Sequence, residues 1–197
     1  MSHRRSSFLL LLLGLTALLA PAAEAADNGY LVMSVGSARA DFTNGTNGSS
    51  QLQLRFAGAR QTSSHLALEL GVSFARGFHP PSDVEAAVPG AHVKVVALDG
   101  AALFLMPVNR SARFFLAAGP AMTTARVELS NSEGRSTKVD SHRDFTVMVG
   151  GGLDFFRGSY TAVRLAVAHL QTVGSDTAGS TGSSSLNSVS LGILLRF

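Results

Sequence analysis

Cysteine and tryptophan are absent from the 197 residues, and Asp, Glu, Lys and Arg together make up only 15% of them. Without thiols there are no disulfide frameworks, Cys-ligated zinc sites, iron-sulfur clusters or Cys-borne lipid anchors. A disordered chain is excluded too, because 46% of the residues are hydrophobic. The formal net charge of +3 is small, and no basic stripe is visible along the chain, which argues against a nucleic-acid partner. Long apolar runs are equally scarce. The single one, from Phe8 to Ala20, covers about 13 residues, well short of the roughly 20 that span a bilayer as a helix.

That run has basic residues before it (His3, Arg4, Arg5) and Pro21, then Ala23-Glu24-Ala25, after it. Charge, length and small residues at the cleavage subsites define a secretory signal peptide over residues 1–25, leaving an exported domain at 26–197. With no further spanning apolar run, a helical membrane protein is excluded. A secreted globule or a β-barrel remains.

The hydrophobic period in the exported part is two. From Leu66 to Phe74 every even position is large and apolar and every odd one is small or polar. Val189, Leu191, Ile193, Leu195 and Phe197 repeat the pattern against Ser188, Ser190, Gly192, Leu194 and Arg196. Phe145, Val147, Val149, Leu153 and Phe155 define a third strand, and Val163, Leu165 and Val167 a fourth. Weaker runs lie at 29–42, 51–61, 92–106 and 113–128, which brings the expected total to eight. Short turns at 61–65, 107–112 and 157–159 alternate with long loops at 43–49, 76–91, 129–143 and 171–186. This spacing predicts an all-β, eight-stranded antiparallel up-and-down transmembrane β-barrel with both termini on the short-turn side.

A soluble lipocalin-like periplasmic ligand carrier has the same alternation turned inside out. Its solvent face should be rich in Lys, Glu and Thr, yet the second face here carries Ala67, Gly71, Ser73, Gly150, Gly152, Ala166, Ala168, Ser190 and Gly192. Small side chains suit the narrow lumen that eight strands enclose. Aromatics fall mostly near the strand ends, as interfacial girdles require: Tyr30, Phe104, Phe114, Phe115, Phe155, Phe156, Tyr160 and Phe197 toward the short turns, Phe42, Phe74 and Phe145 toward the long loops. Phe56 is mid-strand and Phe78 is expected in a loop.

The segments Leu66 to Gly71, Gly150 to Phe155 and Ser190 to Phe197 resemble the small outer-membrane barrels of the OmpA-type transmembrane domain superfamily across the exported chain. The resemblance implies a bacterial outer-membrane location, with outer-membrane lipid as surroundings. It also implies that Val189, Leu191, Ile193, Leu195 and Phe197 form the terminal signal read by the barrel-assembly machinery. Eight-stranded outer-membrane barrels include lipid A deacylases, whose family carries a His-x-Ser-Asn segment on a late strand. The matching place reads His169-Leu170-Gln171-Thr172, so the nucleophilic hydroxyl is missing.

Charged residues on lumen-facing parity are Arg55, Glu69, Asp99, Asp154 and Arg164. They are expected to pair and plug the barrel, because an unpaired buried ion costs several kcal/mol. A charged pore is the alternative. His65, His79, His92, His142 and His169 show no metal-ligand spacing, and Asp140-Ser141-His142 is a contiguous trio without catalytic geometry. No metal site, cofactor or enzymatic activity is expected. The expectation is a structural or surface-interaction protein whose external loops at 76–91, 129–143 and 171–186 meet a surface ligand, with a narrow solute channel as the alternative.

Overall fold

The computed structural model describes residues 29–42, 50–79, 90–130, 136–173 and 183–197, with backbone only at 42, 130, 136–140 and 183–184. The expected signal peptide therefore lies outside the described residues. The strands are β1 (Gly29–Phe42), β2 (Gln51–Ser63), β3 (Leu66–Phe78), β4 (Ala91–Asn109), β5 (Ala112–Ser130), β6 (Ser136–Arg157), β7 (Thr161–Thr172) and β8 (Ser183–Arg196). Each pairs antiparallel with its sequence neighbours, and β8 returns to β1 from Tyr30↔Arg196 up to Phe42↔Ser183. Closure leaves no sheet edge, so backbone N–H and C=O groups are satisfied without water, as lipid demands.

Turn chemistry explains the tight end. Ser64 and His65 link β2 to β3, and Arg110 and Ser111 link β4 to β5, where the Asn109 side-chain oxygen accepts the Ser111 N–H at 2.8 Å. Gly158 supplies a left-handed residue (φ 82°) for the β6–β7 turn.

Side-chain alternation sets the two faces. Ala67, Glu69, Ser73 and Ala75 are buried inside β3, whereas Leu66, Leu68, Leu70 and Phe74 look outward. On β8, Val189, Leu191, Ile193 and Leu195 are each about half exposed while Leu194 is fully buried. A lipocalin-like carrier turns a polar face to solvent, whereas the outer face here is apolar, so that alternative fails. An exterior this apolar matches acyl chains, not water.

The lumen has two zones. Toward the short turns it holds charged side chains among Tyr30, Phe115, Leu103 and Leu105; toward the long loops it is filled by Phe78, Val93, Val95, Val127, Leu170 and Leu186. Two expectations are corrected here. Tyr30, Phe115 and Phe156 face the lumen and are not members of an outer girdle, and Phe78 is the buried last residue of β3 rather than part of a loop. The long connections are also shorter than the spacing implied. β5 and β6 stay paired up to Ser130↔Ser136, so 131–135 replaces 129–143, while 79–90 and 173–182 replace 76–91 and 171–186. Beyond the lipid band neither strand face needs to be apolar, so the period-two hydrophobic signal stops before the hydrogen-bonded ladder does.

Candidate functional site

Period-two alternation on β2, β3, β4, β6 and β7 delivers Arg55, Glu69, Asp99, Asp154 and Arg164 into the lumen, and the structure joins all five. Arg55 Nη1 donates to Glu69 Oε1 at 3.0 Å, and its Nη2 to Asp99 Oδ1. Glu69 presents its other oxygen to Arg164 Nη1 at 2.7 Å. Arg164 grips Asp154 with two bonds, Nε to Oδ1 at 2.7 Å and Nη2 to Oδ2 at 3.0 Å. The chain ends at a residue the sequence reading missed: Arg113 donates to Asp154 Oδ2 through Nη2 at 2.6 Å and Nε at 3.2 Å. Its parity with Phe115 and Ala117 was the available signal, obscured because Arg113 stands beside the β4–β5 turn.

Cations and anions thus alternate as Asp99, Arg55, Glu69, Arg164, Asp154 and Arg113, ending with no net charge. Asp154 is fully buried and Arg164 nearly so. Burying ions is offset only by close pairing with their hydrogen-bonding capacity filled, and the forked Arg164–Asp154 contact is the strongest form of it. Aromatic rings complete the surroundings. The Arg164 guanidinium lies 4.3 Å from the Phe115 ring centroid and 5.3 Å from Tyr30; Arg113 lies 5.2 Å from Phe156. Arg196, at the end of β8, also lies over the Phe156 ring, 4.4 Å from its centroid.

Two glycines make the room. A methyl at Gly71 would overlap the Arg55 guanidinium and crowd Asp99, and one at Gly152 would strike the Leu165 carbonyl and the Phe115 ring. Around the network a cavity of about 50 Å³ remains, bordered by Ser34, Gln53, Ser73 and Met148, enough for a few water molecules. Closer to the long loops, His142 Nε2 lies 2.8 Å from Asp144 Oδ1.

Comparison with known proteins fits this arrangement. The family model for the outer membrane protein beta-barrel domain matches residues 8–197. The chain belongs to that family. Among solved structures, this outer-membrane barrel is similar to Neisserial surface protein A, with a TM-score of 0.66 and 13% identity over 86% of this chain and 97% of the other. It is similar also to Ail, the attachment invasion locus protein of Yersinia pestis (0.58, 13%, covering 87% and 99%), and to OprG from Pseudomonas aeruginosa (0.56, 11%, covering 87% and 97%). At these identities the likeness shows the fold. No curated protein matches the sequence.

The remaining sequence candidates are scattered over this outer-membrane barrel. Val189, Leu191, Ile193 and Leu195 form the outward face of β8, and Phe197 closes it, its N–H donating to the Gly29 carbonyl at 3.1 Å. His169 faces outward with Nδ1 2.7 Å from Asn187 Oδ1, Gln171 shares that face and Thr172 takes the opposite parity. Ser141 and His142 stand on opposite faces of β6, so they do not converge as a catalytic pair. Among the described residues no three His, Asp or Glu side chains gather into a metal site.

Proposed function

We propose that this outer-membrane barrel is a sealed scaffold in a bacterial outer membrane that acts through its long-loop end as a surface-interaction protein. The observation that carries this reading is the β5–β6 ladder, which continues to Ser130↔Ser136 well past Phe145, the last outward apolar side chain among the described residues of β6. From Arg143 to Ser136 this adds a ribbon of roughly 23 Å at about 3.3 Å per residue. A ribbon of that length is more than closing a barrel requires. The compensated ion network and the small cavity support a plugged interior over the narrow-channel reading, and the missing hydroxyl beside His169 supports a non-enzymatic role over deacylation. Cleavage of residues 1–25 and recognition of Val189, Leu191, Ile193, Leu195 and Phe197 by the assembly machinery complete the reading. Outer-membrane lipid surrounds the barrel, no cofactor is required, and the partner at the loops is a surface ligand.

The test is trypsin added to intact cells. Arg135, in the sequence between β5 and β6, should be cut while the barrel strands stay protected. Cleavage only after the outer membrane is breached would put the ribbon in the periplasm and end the proposal. In planar bilayers the refolded barrel should give no discrete conductance steps; regular steps would establish the channel instead.

A further inference from the structure

The outward face of β3 to β6 carries a charge pattern that the ion network does not involve. Arg76 pairs in register with Lys94, and Lys94 with Arg126, so three cations on three adjacent strands stand directly opposite one another. Arg143 on β6 lies one rung lower, opposite Thr124. Arg76, Arg126 and Arg143 are exposed and Lys94 is half-buried; among the described residues the only carboxylate bonded to the group is Glu128, 3.9 Å from Lys94. Like charges directly opposite across strands repel and destabilise a sheet unless something anionic sits between them.

The row's height says what that is. Immediately beneath it the same strands present Phe74 and Val96, then Leu98, Met122 and Phe145, all outward. A ligand meeting the cations therefore also meets a wall of apolar side chains running toward the middle of the membrane. The other half of the rim differs. There the row is His169↔Asn187↔Arg39, and Arg39 already has Asp41 at 3.7 Å. Three strand spacings separate Arg76 from Arg143, roughly 14 Å at about 4.8 Å each, wider than one phosphate.

We infer that the β3–β6 rim is a binding site for an anionic membrane lipid bearing more than one phosphate, held by Arg76, Lys94, Arg126 and Arg143 with its acyl chains against Phe74, Leu98, Met122 and Phe145. Guanidinium groups suit phosphate because their forked donors match its oxygens. The apolar wall selects a lipid over a soluble anion.

The full barrel, folded in zwitterionic detergent, is titrated with diphosphorylated lipid A, with its dephosphorylated form, and with inorganic phosphate, and retained lipid is counted by native mass spectrometry. The diphosphorylated lipid should be retained and the dephosphorylated form lost. A variant combining Arg76→Gln, Lys94→Gln, Arg126→Gln and Arg143→Gln should bind at least about ten-fold more weakly, reflecting lost charge-assisted contacts. Arg39→Gln, on the neutral half of the rim, should leave binding unchanged. Equal retention of both lipid forms, or equal binding by the wild type and the fourfold variant, would overturn the site. Displacement of the lipid by equimolar inorganic phosphate would overturn the lipid assignment. Heat-dependent gel migration verifies folding of the fourfold variant; should it not fold, Arg126→Gln and Arg143→Gln are measured singly, and unaltered binding in both counts against the site.

Discussion

Charges inside the barrel and charges on its rim follow different rules. In the lumen Arg55, Arg113 and Arg164 meet Glu69, Asp99 and Asp154 in one alternating chain, with Asp154 gripped by two guanidinium groups. On the rim of β3 to β6, four cations have Glu128 as their bonded acid. Burial explains the first pattern, since each ion removed from water must be compensated by the protein itself. Exposure permits the second, because screening by solvent or lipid headgroups can supply what the protein does not. Stability should therefore depend steeply on the inner charges and hardly at all on the outer ones.

Arg164→Met puts the largest strain on this contrast. It removes the one residue that bridges Glu69 to Asp154 and leaves both carboxylates short of a partner in a buried site. The expected loss is about 3 to 5 kcal/mol, read from urea unfolding followed by gel migration. A loss below about 1 kcal/mol would mean the network is solvated and the lumen wetter than its packing indicates. Next comes Leu70→Arg, which puts a charge on the outward face of β3 and should cost about 2 to 4 kcal/mol near the bilayer midplane. An inward residue of the same strand sharpens the result: Ser73→Thr should cost less than about 1.5 kcal/mol, and equal costs at the two positions would contradict the assigned faces.

The two charge systems were unequally legible in the sequence. Membership of the lumen is a matter of parity along one strand, so Arg55, Glu69, Asp99, Asp154 and Arg164 can be read from the alternation of their immediate neighbours. Which acid each Arg meets is not legible, because Arg164 reaches Glu69 across the lumen from β7 to β3. Arg113 escaped because the strand pattern is weakest beside a turn. The rim row is invisible along the chain, where no basic stripe occurs; only the register of two strand pairings, β3 with β4 and β4 with β5, brings Arg76, Lys94 and Arg126 side by side. The β5–β6 ribbon was mistaken for loop for a related reason. Thr137, Lys138, Asp140, Ser141 and Arg143 carry no hydrophobic alternation, yet their backbone continues the ladder.

Gly71→Ala tests how tightly the inner system is fitted. The added methyl falls where the Arg55 guanidinium lies, so Arg55 must retreat from Asp99 or the strands must part, at an expected cost of about 1 to 3 kcal/mol. Restoring stability with Arg55→Lys in the Gly71→Ala background would locate the clash at the guanidinium, because the ammonium has no planar fork to accommodate. Arg126→Gln sits at the other end of the scale. In a neutral detergent it should change unfolding stability by no more than about 0.5 kcal/mol, with either sign allowed, because relief of repulsion from Lys94 opposes the lost solvation of an exposed charge. A loss comparable to that of Arg164→Met would show Arg126 bound within the protein, and the division between self-compensated inner charges and lipid-compensated outer ones would fail at its weakest point.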